Sequence, residues 1–178
     1  MTEQIIPDDY ARRSEELWAT IDQYDESVFR AKLDELVSQL PADHAIAAFE
    51  RACAWDSTGH PDRAVSLYRR ALELGLEGEH RRRAVIQLAS SLRNLDQVAA
   101  SLELLTAEAK QPSDPYDDAV GAFLALALAD SGREREAVSV ALTALAPHLP
   151  RYQRSLRSYA RELLDGHEDR GGSECAND

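Results

Sequence analysis

Residues 48–72 read AFERACAWDSTGHPDRAVSLYRRAL, and this stretch decides the fold. Two further segments align with it without a gap: VIQLASSLRNLDQVAASLELLTAEA (85–109) and GAFLALALADSGREREAVSVALTAL (121–145). Their starts lie 37 and 36 residues apart. A period of this length marks stacked supersecondary units, each too small to bury its own apolar face. Each segment reads as two helices joined by a tight turn. The first helix carries a small residue, Ala52, Ala89 or Ala125, and a larger apolar one three positions on, Trp55, Leu92 or Leu128. That spacing keeps the pair on one helix face. The turn follows at Gly59, Asp96 or Gly132, where glycine accepts positive φ and aspartate is among the next best tolerated. Ala64, Ser101 or Ala137 comes five residues later, and Tyr68, Leu105 or Ala141 a turn beyond. Small residues at both places let the two helix backbones approach closely.

Composition agrees. Of 178 residues, 28 are Ala and 23 Leu, a bias that favours helix over strand. A hydrophobic share of 44% is enough for a core. The formal net charge of −12 opposes nucleic acid and anionic membrane surfaces as partners. No 18-residue apolar run and no basic, apolar leader is present, so the expected setting is cytoplasmic. The alanine excess and the dominance of arginine over lysine suggest a GC-rich coding genome.

The three segments resemble the tetratricopeptide repeat (TPR) family, through Ala52, Trp55, Gly59, Ala64, Tyr68 and Ala71 in the first and Ala125, Gly132, Ala137 and Ala144 in the third. The second departs at Asp96, Ser101 and Glu108, and the customary proline after each repeat is missing except for a late Pro147. The chain looks like the small bacterial TPR proteins sometimes called group 5. The resemblance implies an all-α fold, a right-handed α-α superhelix (a TPR solenoid) of about nine helices. The expected organisation is an N-terminal helical hairpin or cap over 1–44, three repeats within 45–147 (45–78, 82–115 and 118–147), a capping helix over 148–165 and a disordered tail over 166–178. In the hairpin, residues 9–23 and 26–40 each carry an apolar stripe, and Pro41 stops the second. The stretch 1–44 holds 11 acidic and 4 basic residues. Tyr152, Leu156, Tyr159, Ala160, Leu163 and Leu164 form the stripe of the last helix, with Arg151, Arg154, Arg157 and Arg161 opposite. Asp114–Pro115 reads as an N-cap followed by proline at the first helical position.

Chemistry is sparse. His44, His60, His80, His148 and His167 stand apart from one another and from Cys53 and Cys175, a pattern that gives no metal site. They read as solvated or capping histidines. No phosphate-binding glycine loop and no nucleophile elbow occurs, so no catalytic residue and no cofactor is expected. Arg81, Arg82 and Arg83 read as a surface run paired with the acidic N-terminal region, and Cys53 as a packed small hydrophobe.

By resemblance, the first helices line a concave groove that receives a peptide or helix. Its inward positions here are Phe49, Cys53 and Asp56, then Ile86, Ser90, Arg93 and Asn94, then Ala122, Leu126, Ala129 and Asp130. The family members that clamp a chaperone C-terminus need Lys, Asn and Arg where this chain has Phe49, Cys53, Gln87, Ala119 and Phe123, so that mode is excluded. Phe49, Ile86 and Leu126 are expected to form a solvent-open apolar strip. The implied function is a non-catalytic scaffold binding a protein or peptide segment. The rival is a self-associating structural protein, its groove buried in a homo-oligomer or filled by its own N-terminal helix through Leu17, Trp18 and Ile21.

Overall fold

A computed structural model describes residues 9–165. In chain order it contains α1 (Tyr10–Trp18), a 3-10 turn (Ile21–Gln23), α2 (Glu26–Val37), α3 (Ala45–Ser57), α4 (Pro61–Glu73), α5 (Gly78–Asn94), α6 (Val98–Glu108), α7 (Asp117–Asp130), α8 (Glu134–Leu145), a second 3-10 turn (Ala146–His148) and α9 (Gln153–Asp165). No strand occurs among the described residues, so the fold is all-α. The expected tail, 166–178, lies outside the described residues, as do Cys175 and His167.

The three repeat turns share one hydrogen-bond pattern. Gly59, Asp96 and Gly132 take φ of 76°, 59° and 78°. The next residue's N–H reaches back to the larger apolar position: His60 to Trp55 O, Gln97 to Leu92 O and Arg133 to Leu128 O, each at 2.9 Å. The turn residue's own N–H bonds Asp56 O, Arg93 O or Ala129 O at 3.0 Å. This is the Schellman C-cap, and it satisfies carbonyls that a helix end leaves without partners. Gly75, at φ 82°, ends α4 in the same way, with Leu76 N–H on Ala71 O at 3.1 Å.

Helix boundaries depart from expectation in three places. The helix expected over 9–23 stops at Trp18, where Thr20 Oγ1 donates to Leu17 O at 2.7 Å and draws that carbonyl away from helical continuation. Helix α5 begins at Gly78, a turn before the expected repeat start at 82. Asp114 caps a local turn through Tyr116 N–H (2.7 Å), and α7 starts later, at Asp117.

The chain divides into two compact units, Met1–Gln97 and Val98–Asp178. In the first, Phe29, Leu33, Leu36, Val37 and Leu40 pack with Tyr10 and with Ala47 and Ala54 of α3, and Leu17, Trp18 and Ile21 complete that cluster. Trp18 meets Phe29 edge-on at 5.0 Å between centroids. The N-terminal hairpin therefore docks on α3 through its Ala47 and Ala54 face. Ala52, Ala64 and Tyr68 are fully buried. Burying a large apolar side chain contributes about 1.5–3 kcal/mol and a single methyl group about 0.8 kcal/mol. Trp55 is half-buried, with the Arg30 guanidinium 4.4 Å above its ring and His60 at 5.2 Å.

In the second unit, Ala125, Leu128 and Ala137 form a small core with Leu102, Leu124 and Val140 around it. Gly121 lets α7 approach α8: a Cβ there would stand 3.3 Å from Ala144 Cβ. Helix α9 packs on α8 through buried Ala160, whose carbonyl accepts from Ser139 Oγ at 2.6 Å.

Candidate functional site

In the first unit the expected inward positions are mostly closed. Phe49 is 1% exposed. Its ring lies 6.2 Å from Tyr68 and 5.5 Å from His80, with the Arg83 guanidinium at 5.4 Å. Ile86 and Cys53 are also buried. The expectation of a solvent-open strip through Phe49 and Ile86 is corrected: both belong to the core. The extra N-terminal turn of α5 brings His80 against Phe49, beside Tyr68 of α4 and Arg83 of the expected repeat.

Cys53 and Asp56 join an internal network. Tyr68 Oη lies 3.6 Å from Cys53 Sγ and 3.4 Å from Asp56 Oδ2, and Ser91 Oγ donates to Asp56 Oδ1 at 2.9 Å. Side chains of α3, α4 and α5 thus meet at one carboxylate. Burial raises the Asp56 pKa against these hydrogen bonds, and pushes the Cys53 thiol up to about 12, far from thiolate reactivity. Ser90 and Arg93 are half-buried and Asn94 is exposed. The Arg81–Arg83 run divides: Arg82 is buried, and Arg83 pairs with Glu79 at 3.8 Å. Its reading as a surface run paired with the acidic N-terminal region is corrected at Arg82, which is buried, and at Arg83, which pairs within α5.

The second unit is different. Ala122, Leu126 and Asp130 are exposed, and the first two line an open groove of about 500 Å3 between α7 and α8. Val138, Ala141, Ala144 and Leu145 of α8 form its other wall. Leu126, Val138 and Leu145 are 45%, 47% and 48% exposed. At one end His148 Nε2 meets Asp118 Oδ2 at 2.9 Å. Val138, Ala141 and Leu145 fall at i, i+3 and i+7, one face of a helix, and that spacing was the available signal for the second wall.

Elsewhere, His44 caps α3: its Nδ1 accepts from Ile46 N–H at 3.1 Å, and burial lowers its pKa. Among the described residues, no group of three or more His, Cys, Asp or Glu could hold a metal ion. No described helix is long and apolar enough to cross a membrane.

The chain matches the family model described as "Tetratrico peptide repeat" over residues 45–163. No curated protein matches it. Among solved structures it is similar to a Podosopora anserina protein described as a kinesin light chain with nearly identical TPR-like repeats. The identity is 20% and the TM-score 0.63, over 90% of this chain and 94% of that one. A single-substitution variant of the same protein gives 19% identity and the same TM-score, over 90% and 95%. At these identities the likeness is one of fold.

Proposed function

We propose that this chain, which belongs to the tetratrico peptide repeat family, is a non-catalytic scaffold that holds a segment of a partner protein. The occupant we assign is the apolar face of an amphipathic helix, laid between α7 and α8. The observation that carries this reading is the exposure of Leu126, Val138 and Leu145 around one groove. A contiguous apolar patch of large side chains that stays in water marks an interaction surface. Its walls repeat at helical spacing, which suits i, i+3, i+4 and i+7 anchors from a partner helix. Asp118 and His148 at one end supply the polar contact that would fix direction. The setting we assign is a bacterial cytoplasm, bacterial by the resemblance to small group 5 TPR proteins and cytoplasmic by the sequence's lack of an apolar run.

Leu126→Asp combined with Val138→Asp tests the reading. Both positions are half exposed, so circular dichroism should show unchanged helicity. Proteins that co-purify with the wild-type chain from its native cells should be lost with the variant. Undiminished capture, with an unchanged melt, would remove the groove from the account. Light scattering on the pure protein separates the rival: a wild-type dimer that the same pair of changes makes monomeric would assign the groove to self-association.

A further inference from the structure

Within the first unit, α1, α3 and α5 enclose a second cavity of about 390 Å3 that the scaffold reading does not use. The carboxylate of Glu50 on α3 lines it and is 8% exposed. Its Oε2 accepts from Trp18 Nε1 at 2.7 Å and its Oε1 from Ser14 Oγ at 3.2 Å. Both donors are neutral, and Glu50 has no ion pair among the described residues. A buried carboxylate normally has a cation beside it, because desolvating the charge is costly. Tyr10 lines the same cavity, is 3% exposed, and its hydroxyl has no hydrogen-bond partner. Buried hydroxyls of that kind are rare. The Glu50 charge also helps to raise the Tyr10 pKa, behind burial itself. A buried carboxylate with neutral donors alone and a buried tyrosine with an unpartnered hydroxyl thus line one space.

The remaining lining sets the chemistry. Trp18 and Ile46 give an apolar wall, and Glu15 and Glu79 are exposed carboxylates. The positive group present, Arg83, is engaged with Glu79 and with the Phe49 ring, and His80 lies edge-on to the same ring. We propose that this cavity binds a primary ammonium group carried on an apolar chain, with Glu50 as counter-charge and Tyr10 Oη as a further acceptor. A guanidinium fits less well. Its five donors need more acceptors than the one lone pair left on each Glu50 oxygen, whereas an ammonium has three donors to satisfy. The carboxylates and the histidine that line the cavity are not gathered into a group of three that could hold a metal ion. The ammonium could belong to a free alkylamine or to a lysine side chain.

Calorimetric titration of the full chain tests this. The probes are n-butylamine, n-butanol as its neutral counterpart, and a capped Ala-Lys-Ala peptide with and without an acetylated lysine. The amine and the unmodified peptide should bind, and the alcohol and the acetylated peptide should not. Tighter binding of the peptide assigns the source as lysine, and tighter binding of the amine assigns a free ligand. Tyr10→Phe deletes one unpartnered atom and leaves the ring, so its melt should hold while amine affinity falls about tenfold, the worth of one hydrogen bond to a charged group. Glu50→Gln should abolish selectivity for the charged probe. Equal heats for amine and alcohol would overturn the proposal, as would amine binding that survives undiminished in Tyr10→Phe.

Discussion

Replacing Phe49 with alanine separates a core role from a binding role. The side chain is 1% exposed and fixed by Tyr68, His80 and Arg83, with ring or guanidinium separations of 6.2, 5.5 and 5.4 Å. Three elements, α3, α4 and α5, would have to move to fill the space it leaves. Removing a buried phenylalanine side chain costs about 3–5 kcal/mol, transfer and cavity together. In a chain of this size each kcal/mol moves the melting temperature by about 2–4 °C, so the loss should be about 6–20 °C. Leu126→Ala is the matched control. That residue is 45% exposed, and its loss should cost within about 1 kcal/mol. Far-UV circular dichroism melts of the two variants give the comparison directly. Similar shifts for both, or a Phe49→Ala melt equal to wild type, would refute the assignment of Phe49 to the core.

Other expectations follow the same logic. Gly132→Ala should destabilise by about 1–2 kcal/mol in denaturant titrations, because φ is 78° there and no atom lies within 4 Å of an added Cβ, leaving conformation as the sole cause. Gly121→Leu should cost about 1–3 kcal/mol by overpacking against Ala144, measured in the same way. His44 must stay neutral at Nδ1 to accept from Ile46 N–H, and its pKa is lowered, so the unfolded chain takes up its proton first on acidification. Its contribution is present above the ordinary histidine pKa of about 6.5 and is lost as pH falls through the lower folded value. His44→Asn, which retains a capping acceptor, should flatten that part of the stability-versus-pH curve.

What the sequence showed follows from how local each feature is. The turns at Gly59, Asp96 and Gly132 depend on one backbone angle, which residue type reports, and all three adopt it. The buried small pairs Ala52 and Ala64, and Ala125 and Ala137, were legible because size alone sets helix approach. The start of α5 was hidden by GEHRRR, a polar stretch in which Arg82 nonetheless lies buried. That turn adds His80 to Tyr68 and Arg83 around Phe49, so a helix end that residue type does not mark bears on the site. Leu126 and Ala122 were read as site residues and do line a groove, while Val138 and Leu145 were passed over because they sit on a second helix. The pairing of Glu50 with Trp18 and Ser14 spans 32 and 36 residues, and no local pattern signals it.

The donors at the three repeat turns belong to His60, Gln97 and Arg133, side chains with nothing in common. The bond is made by the main chain, so the residue after each positive-φ position is free in side chain while the turn is strict about length. One inserted residue would advance the following helix by about 100° around its axis. At the first turn that would swing Ala64 and Tyr68 out of register with α3 and present Arg63 and Leu67 in their place. Drift within this protein should therefore proceed by substitution across the turns, while gains and losses of residues collect in the joints between hairpins. There α4 gives way to α5 after Gly75, and Pro112 and Pro115 precede α7.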